Sequence, residues 1–205
     1  MIVVGTAVGV GSPREIVAPS VPPIALATGA APSPAAPSPA PPTPVVAPTP
    51  EAPHLSRSTP IRLQIPAIGV DTELMELGLL PDGTLEVPPK GFPAGWYNGG
   101  PTPGELGPAV IAGHVDWAGP AVFYNLHELQ PNDRVTVTRM DGSVAVFSVD
   151  LVQEFPKDAF PTALVYGDIG TAGLRLITCG GVFNRQTGHY LDNIIVFATF
   201  VAPAG

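Results

Sequence analysis

Apolar and polar residues alternate over Ile61-Arg62-Leu63-Gln64-Ile65 and again over Arg134-Val135-Thr136-Val137-Thr138-Arg139. That period of two belongs to strands with one buried face. Asp141-Gly142 follows the second run, and Val144 to Val149 is a third run beyond it. Asp-Gly between two strand patterns predicts a tight hairpin. Ala109 to Gly113 is continuously apolar and reads as an interior strand. Leu174 to Cys179 and Asn193 to Val201 are the last two strands predicted, and Thr84 to Val87 is a short one closed by Pro88-Pro89. Helical patterning is confined to a turn or two in Ala121 to Leu129 and in Lys157 to Val165. There is no internal repeat. Many short strands punctuated by Gly and Pro predict a mainly β fold, either a closed barrel or a sandwich.

Composition divides the chain. Half of its 28 prolines fall between Ser12 and Ser56, where the charged residues are Arg14, Glu15 and Glu51. Such a stretch lacks core-forming side chains and backbone donors, so residues 12–56 are expected to be a disordered, semi-extended Pro/Ala-rich linker. Residues 1–11 are apolar and uncharged. They are too short to cross a bilayer and are read as the remnant of a signal or membrane anchor incomplete in this chain. The alternative is a plain disordered terminus. The folded domain is then 57–205, a length suited to a single core. A net charge of -8 without a basic stripe argues against nucleic acid and against a polybasic lipid contact.

The candidate chemistry centres on Cys179, the lone cysteine. It stands where an apolar run meets Gly180-Gly181, glycines expected to end the strand and to let a substrate approach the sulfur. Cys179 is either a nucleophile or a small buried hydrophobe. His114, just past the Ala109–Gly113 run, is expected on a rim, and His189 is the competing base. His54 and His127 read as solvated. Arg175 shares the strand face of Cys179 by period two, and Arg185 lies in the loop beyond it. Either arginine is a candidate to hold a carbonyl or its oxyanion, and each is equally readable as a surface cation. Asp116 is a candidate to orient His114 or a simple loop acid. One Cys and no paired His exclude a metal site of the zinc type, and no Gly-x-Ser-x-Gly elbow is present.

Leu176-Ile177-Thr178-Cys179, with the Gly113-His114 strand end upstream, resembles the nucleophile and histidine motifs of sortases, the cysteine transpeptidases of bacterial surfaces. Cys179-Gly180-Gly181-Val182-Phe183-Asn184 and Gly188-His189-Tyr190 followed by Asp192-Asn193 are similar to the class F branch of actinobacteria. So are Ile65-Pro66-Ala67-Ile68-Gly69-Val70-Asp71 and Gly95-Trp96-Tyr97. The resemblance implies a sortase-type β-barrel of eight strands with one or two short helices. It also implies a Cys-His-Arg site that needs no cofactor. Cys179 and His114 carry over directly. The family's arginine position falls on Asn193, so Arg185 is the expected substitute and Arg175 the second. Thr178, Asp116, His189 and Asn193 are expected around the site. The implied partners are the sorting-signal peptide of a surface protein and an amine such as a peptidoglycan precursor, handled by an extracytoplasmic monomer. Two alternatives stand beside transfer: the same thiol acting as a hydrolase, and a non-catalytic binding module on a stalk.

Overall fold

The computed structural model describes residues 52–201. The expected apolar remnant and nearly all of the expected linker lie outside these residues. Eight strands close into a barrel: β1 (Pro60–Ile65), β2 (Val70–Leu77), β3 (Ala94–Tyr97), β4 (Gly107–Ala112), β5 (Arg134–Arg139), β6 (Val144–Pro156), β7 (Ala172–Asn184) and β8 (His189–Val201). Round the barrel they run β1-β2-β3-β4-β7-β8-β6-β5, and β5 pairs back onto β1. The β2–β3 and β4–β7 pairs are parallel, and the other neighbours are antiparallel. Helical structure amounts to α1 (Thr162–Tyr166) and three single 3-10 turns, among them Leu126–Glu128 and Lys157–Ala159. Both stretches with helical patterning therefore hold short helical pieces.

The alternating strands bury one face as the pattern demands. Leu63 and Ile65, Val135 and Val137, and Ala145, Phe147 and Val149 point into a barrel core filled out by Ile111, Leu174, Leu176 and Val196. Strands β4 and β7 are buried on both faces from Gly107 to Ala112 and from Ala172 to Cys179. Their outer face forms a second cluster of Val110, Ala112, Ile177, Cys179 and Ile195 with Val165 of α1. Cys179 thus lies outside the barrel lumen, on the layer between the sheet and its covering segments.

Two expectations are corrected, and two strands went unpredicted. Thr84 to Val87 is not a strand: Leu85 makes a single bridge to Leu79 and the rest is irregular. Pro88-Pro89 removes the donors that would extend it. Strands β2 and β3 carried no clean pattern, because β2 is half-buried and charged and β3 has four residues including Gly95. Finally, Gly180-Gly181 does not end its strand. The β7–β8 ladder continues to Asn184↔His189 through a register shift between Gly180 and Phe183. Gly181 has φ 71°, so the extra residue is absorbed as a left-handed glycine bulge instead of breaking the pairing.

Leu55 and Ser56, from the C-terminal end of the expected linker, are held against the barrel. The Leu55 amide donates to the Gly104 carbonyl at 2.7 Å, and the Ser56 carbonyl accepts from the buried Arg139 guanidinium.

Candidate active site

Parallel pairing of β4 with β7 brings the two principal candidates together. Ala112 is registered with Ile177. The Gly113 amide donates to the Ile177 carbonyl at 3.0 Å, and the Thr178 hydroxyl donates to the Gly113 carbonyl at 2.9 Å. Continued by two residues past the end of β4, that register sets His114 beside Cys179 on the neighbouring strand, at a spacing of about 4.8 Å. Residues far apart in sequence therefore meet because two parallel strands run to the same level. Gly113 permits the exit: a side chain there would meet Val122 and Phe123 at 2.6 and 2.7 Å.

Cys179 is 6% exposed and His114 is 9% exposed. His114 Nε2 lies 2.7 Å from the Pro88 carbonyl. A carbonyl only accepts, so Nε2 carries hydrogen and Nδ1 is the nitrogen left for proton exchange. The Trp117 ring packs on the imidazole with centroids 5.0 Å apart. Asp116 accepts a hydrogen bond from the Tyr190 hydroxyl at 2.7 Å. That bond is the first cause, and burial the second, of a Tyr190 pKa pushed up to about 12. Tyr190 thereby ties the loop after β4 to β8, across the site.

One cleft opens on the sulfur and a second adjoins Lys157. The first, of ≈ 440 Å³, is lined by Cys179 and Gly180 together with Val115, Tyr124, Glu154 and Tyr190. The second, of ≈ 530 Å³, runs past Lys157, His189, Tyr190 and Leu191. The rim carries large exposed apolar side chains, Trp117, Tyr124, Val182 and Leu191. Such a rim around a nucleophile suits an extended peptide. Between the clefts Glu154 and Asp192 share a hydrogen bond. That bond, followed by burial and by the Asp192 charge, raises the Glu154 carboxyl above its ordinary range.

The remaining expected residues separate. Asn193 is fully buried and paired directly opposite Cys179. Arg175 shares the outer face, but its guanidinium donates to the Leu164 and Leu174 carbonyls at 3.3 and 3.0 Å and sits 4.8 Å above the Phe197 ring. Burial lowers its pKa. Arg185 is exposed in the turn joining β7 to β8. His189 is exposed at the foot of β8, on the second cleft, and His127 is exposed on the rim of the first.

Sequence reading missed Lys157. Its Nζ donates to Cys179 Sγ at 3.5 Å. The residue follows the end of β6 directly, and the signal that would have found it is the strand register. Phe155 pairs with Asn193, and Asn193 with Cys179. This row across three strands puts the residue two beyond Phe155 within reach of the sulfur.

Comparison with known proteins agrees with this geometry. The family model of the sortase domain matches residues 63–201. Among solved structures, a lid mutant of sortase A from Corynebacterium diphtheriae superposes with a TM-score of 0.56 at 22% identity, covering 73% of this chain and 74% of that one. A sortase D5 transpeptidase from Clostridium perfringens gives 0.52 at 21% identity, over 70% and 79% of the two chains. Sortase C1 from Streptococcus agalactiae gives 0.55 at 19% identity, over 70% and 68%. At these identities the structures establish a shared fold. No curated protein matches the sequence. With its closed barrel, its Cys179 strand and a family match that spans β1 to β8, the chain belongs to the sortase family.

Proposed function

We propose that this protein is a cysteine transpeptidase, most like the class F sortases. In this reading it cleaves the C-terminal sorting signal of a surface protein and transfers the new carboxyl end to an amine of the cell envelope. The observation that carries the reading is the register that sets Cys179 of β7 beside His114, just past the end of β4, with Cys179 opening onto a cleft. The thiolate of Cys179 attacks the scissile carbonyl carbon. As the tetrahedral species collapses, the C–N bond breaks and protonated His114 gives its proton to the leaving amine. The product is a thioester on Sγ. An incoming amine then loses a proton to His114 and forms the new amide, and the sulfur leaves as thiolate. Asn193 and Thr178 hold the strands that aim the sulfur. Arg185, exposed in the turn joining β7 to β8, is assigned to position the substrate and stabilise its oxyanion.

The proposed setting is extracytoplasmic, with the barrel tethered by residues 12–56. No described helix is long and apolar enough to cross a membrane. A library of quenched peptides, incubated with and without small amines, tests the function. Wild-type protein is expected to cleave a subset and to give a ligated product when amine is present. Cys179→Ala and His114→Ala are expected to lose turnover by at least about 10³-fold, a scale typical of losing a nucleophile or its acid–base partner. Full turnover in Cys179→Ala would end the proposal, and cleavage without any ligation would reduce it to a hydrolase.

A further inference from the structure

We infer that Lys157 supplies the positive charge in contact with the nucleophile, a place that none of the described arginines takes. The inference rests on the transpeptidase reading of Cys179 and adds to it the group that keeps the sulfur reactive. Lys157 Nζ lies 3.5 Å from Sγ, and the β6–β8–β7 register brings the two residues into reach of each other. Opposite the sulfur, where a cation on β8 would stand, the chain has the neutral and fully buried Asn193.

Among the described residues the arginines are engaged or placed elsewhere, with Arg134 exposed at the start of β5. Arg175 is bound to the Leu164 and Leu174 carbonyls. Arg62 pairs with Asp71, and Arg57 with Glu105. Arg139 is bound to Ser56 and Ser143, and Arg185 is on the hairpin turn. An ammonium in contact with a thiol favours the thiolate, which is the nucleophilic form. The same charge favours the thiolate again as leaving group, when the acceptor amine expels it. Lysine is a compact point charge with rotatable donors. It can therefore follow the sulfur through attack and release without the fixed fork geometry of a guanidinium.

The test reads the thiol directly and needs no knowledge of the sorting motif. Alkylation of Cys179 is followed at neutral pH with neutral iodoacetamide and with anionic iodoacetate, in wild type, Lys157→Met and Lys157→Arg. Loss of the charge is expected to slow iodoacetamide about tenfold, because an adjacent cation favours the nucleophilic thiolate. Iodoacetate should slow further still, because the local attraction for an anion is lost as well. Lys157→Arg should return both rates to within about threefold of wild type. Lys157→Gln repeats the comparison with a polar head group should the methionine variant fail to fold. Unchanged rates and an unchanged ratio of the two reagents in the uncharged variants would overturn the assignment. That result would leave the Cys179 mechanism standing, which fails only if Cys179→Ala retains turnover.

Discussion

At the scale of single residues, the site combines groups whose protonation is set by what they touch. Tyr190 is locked as a neutral donor to Asp116 and so acts as a brace rather than as an acid. Glu154 is the counterpart on the other side of the cleft, held above its ordinary range by the carboxylate of Asp192. For a carboxyl raised in the folded state, the native protein binds the proton more tightly than the unfolded chain. Stability attached to that proton is present at low pH and is lost as pH rises through the folded value. Glu154→Gln removes the repulsion. Thermal melts should show the variant gaining stability over wild type near about pH 7, and the gain should vanish near about pH 4. Solvent screening keeps the gain to about 0.5 kcal/mol. A gain of the same size at both pH values would assign it to packing instead.

At the scale of elements, the segment from β7 through its turn into β8 does most to position the chemistry. Cys179 sits on β7 where the ladder is still regular, and the bulge at Gly181 immediately follows it. A side chain at Gly181 would fall on the Asp192 carboxylate and would need the left-handed region. Gly181→Ala is expected to cost at least about 1–2 kcal/mol in a denaturant melt and to lower turnover by displacing Asp192 and Tyr190. A variant as stable and as active as wild type would show that the bulge is dispensable. The sequence made β1, β5, β6 and the Asp141-Gly142 turn legible because each has one buried face and an unambiguous period. It made Cys179 and His114 legible because each ends an apolar run. Strands β2 and β3 stayed hidden because their apolar residues are half-exposed or too few to show a period. Lys157 stayed hidden because its place depends on a row of partners across three strands, which no local pattern encodes.

At the scale of the whole molecule, the barrel is a frame that brings residues of four strands and their flanks to one site. Strands β4 and β7 supply His114 and Cys179, β8 supplies Asn193 and Tyr190, and the end of β6 supplies Lys157. The chain enters this frame at Leu55 and Ser56, which are bonded to Gly104 and Arg139. The central claim is that Cys179 carries the acyl group. Intact mass spectrometry of the protein, quenched in acid during turnover of a library-selected peptide, tests it most directly. The account predicts an adduct with the mass of the peptide's N-terminal fragment, located at Cys179, discharged by hydroxylamine and absent from Cys179→Ala. Steady cleavage of the peptide with no such adduct, continuing in Cys179→Ala, would contradict it.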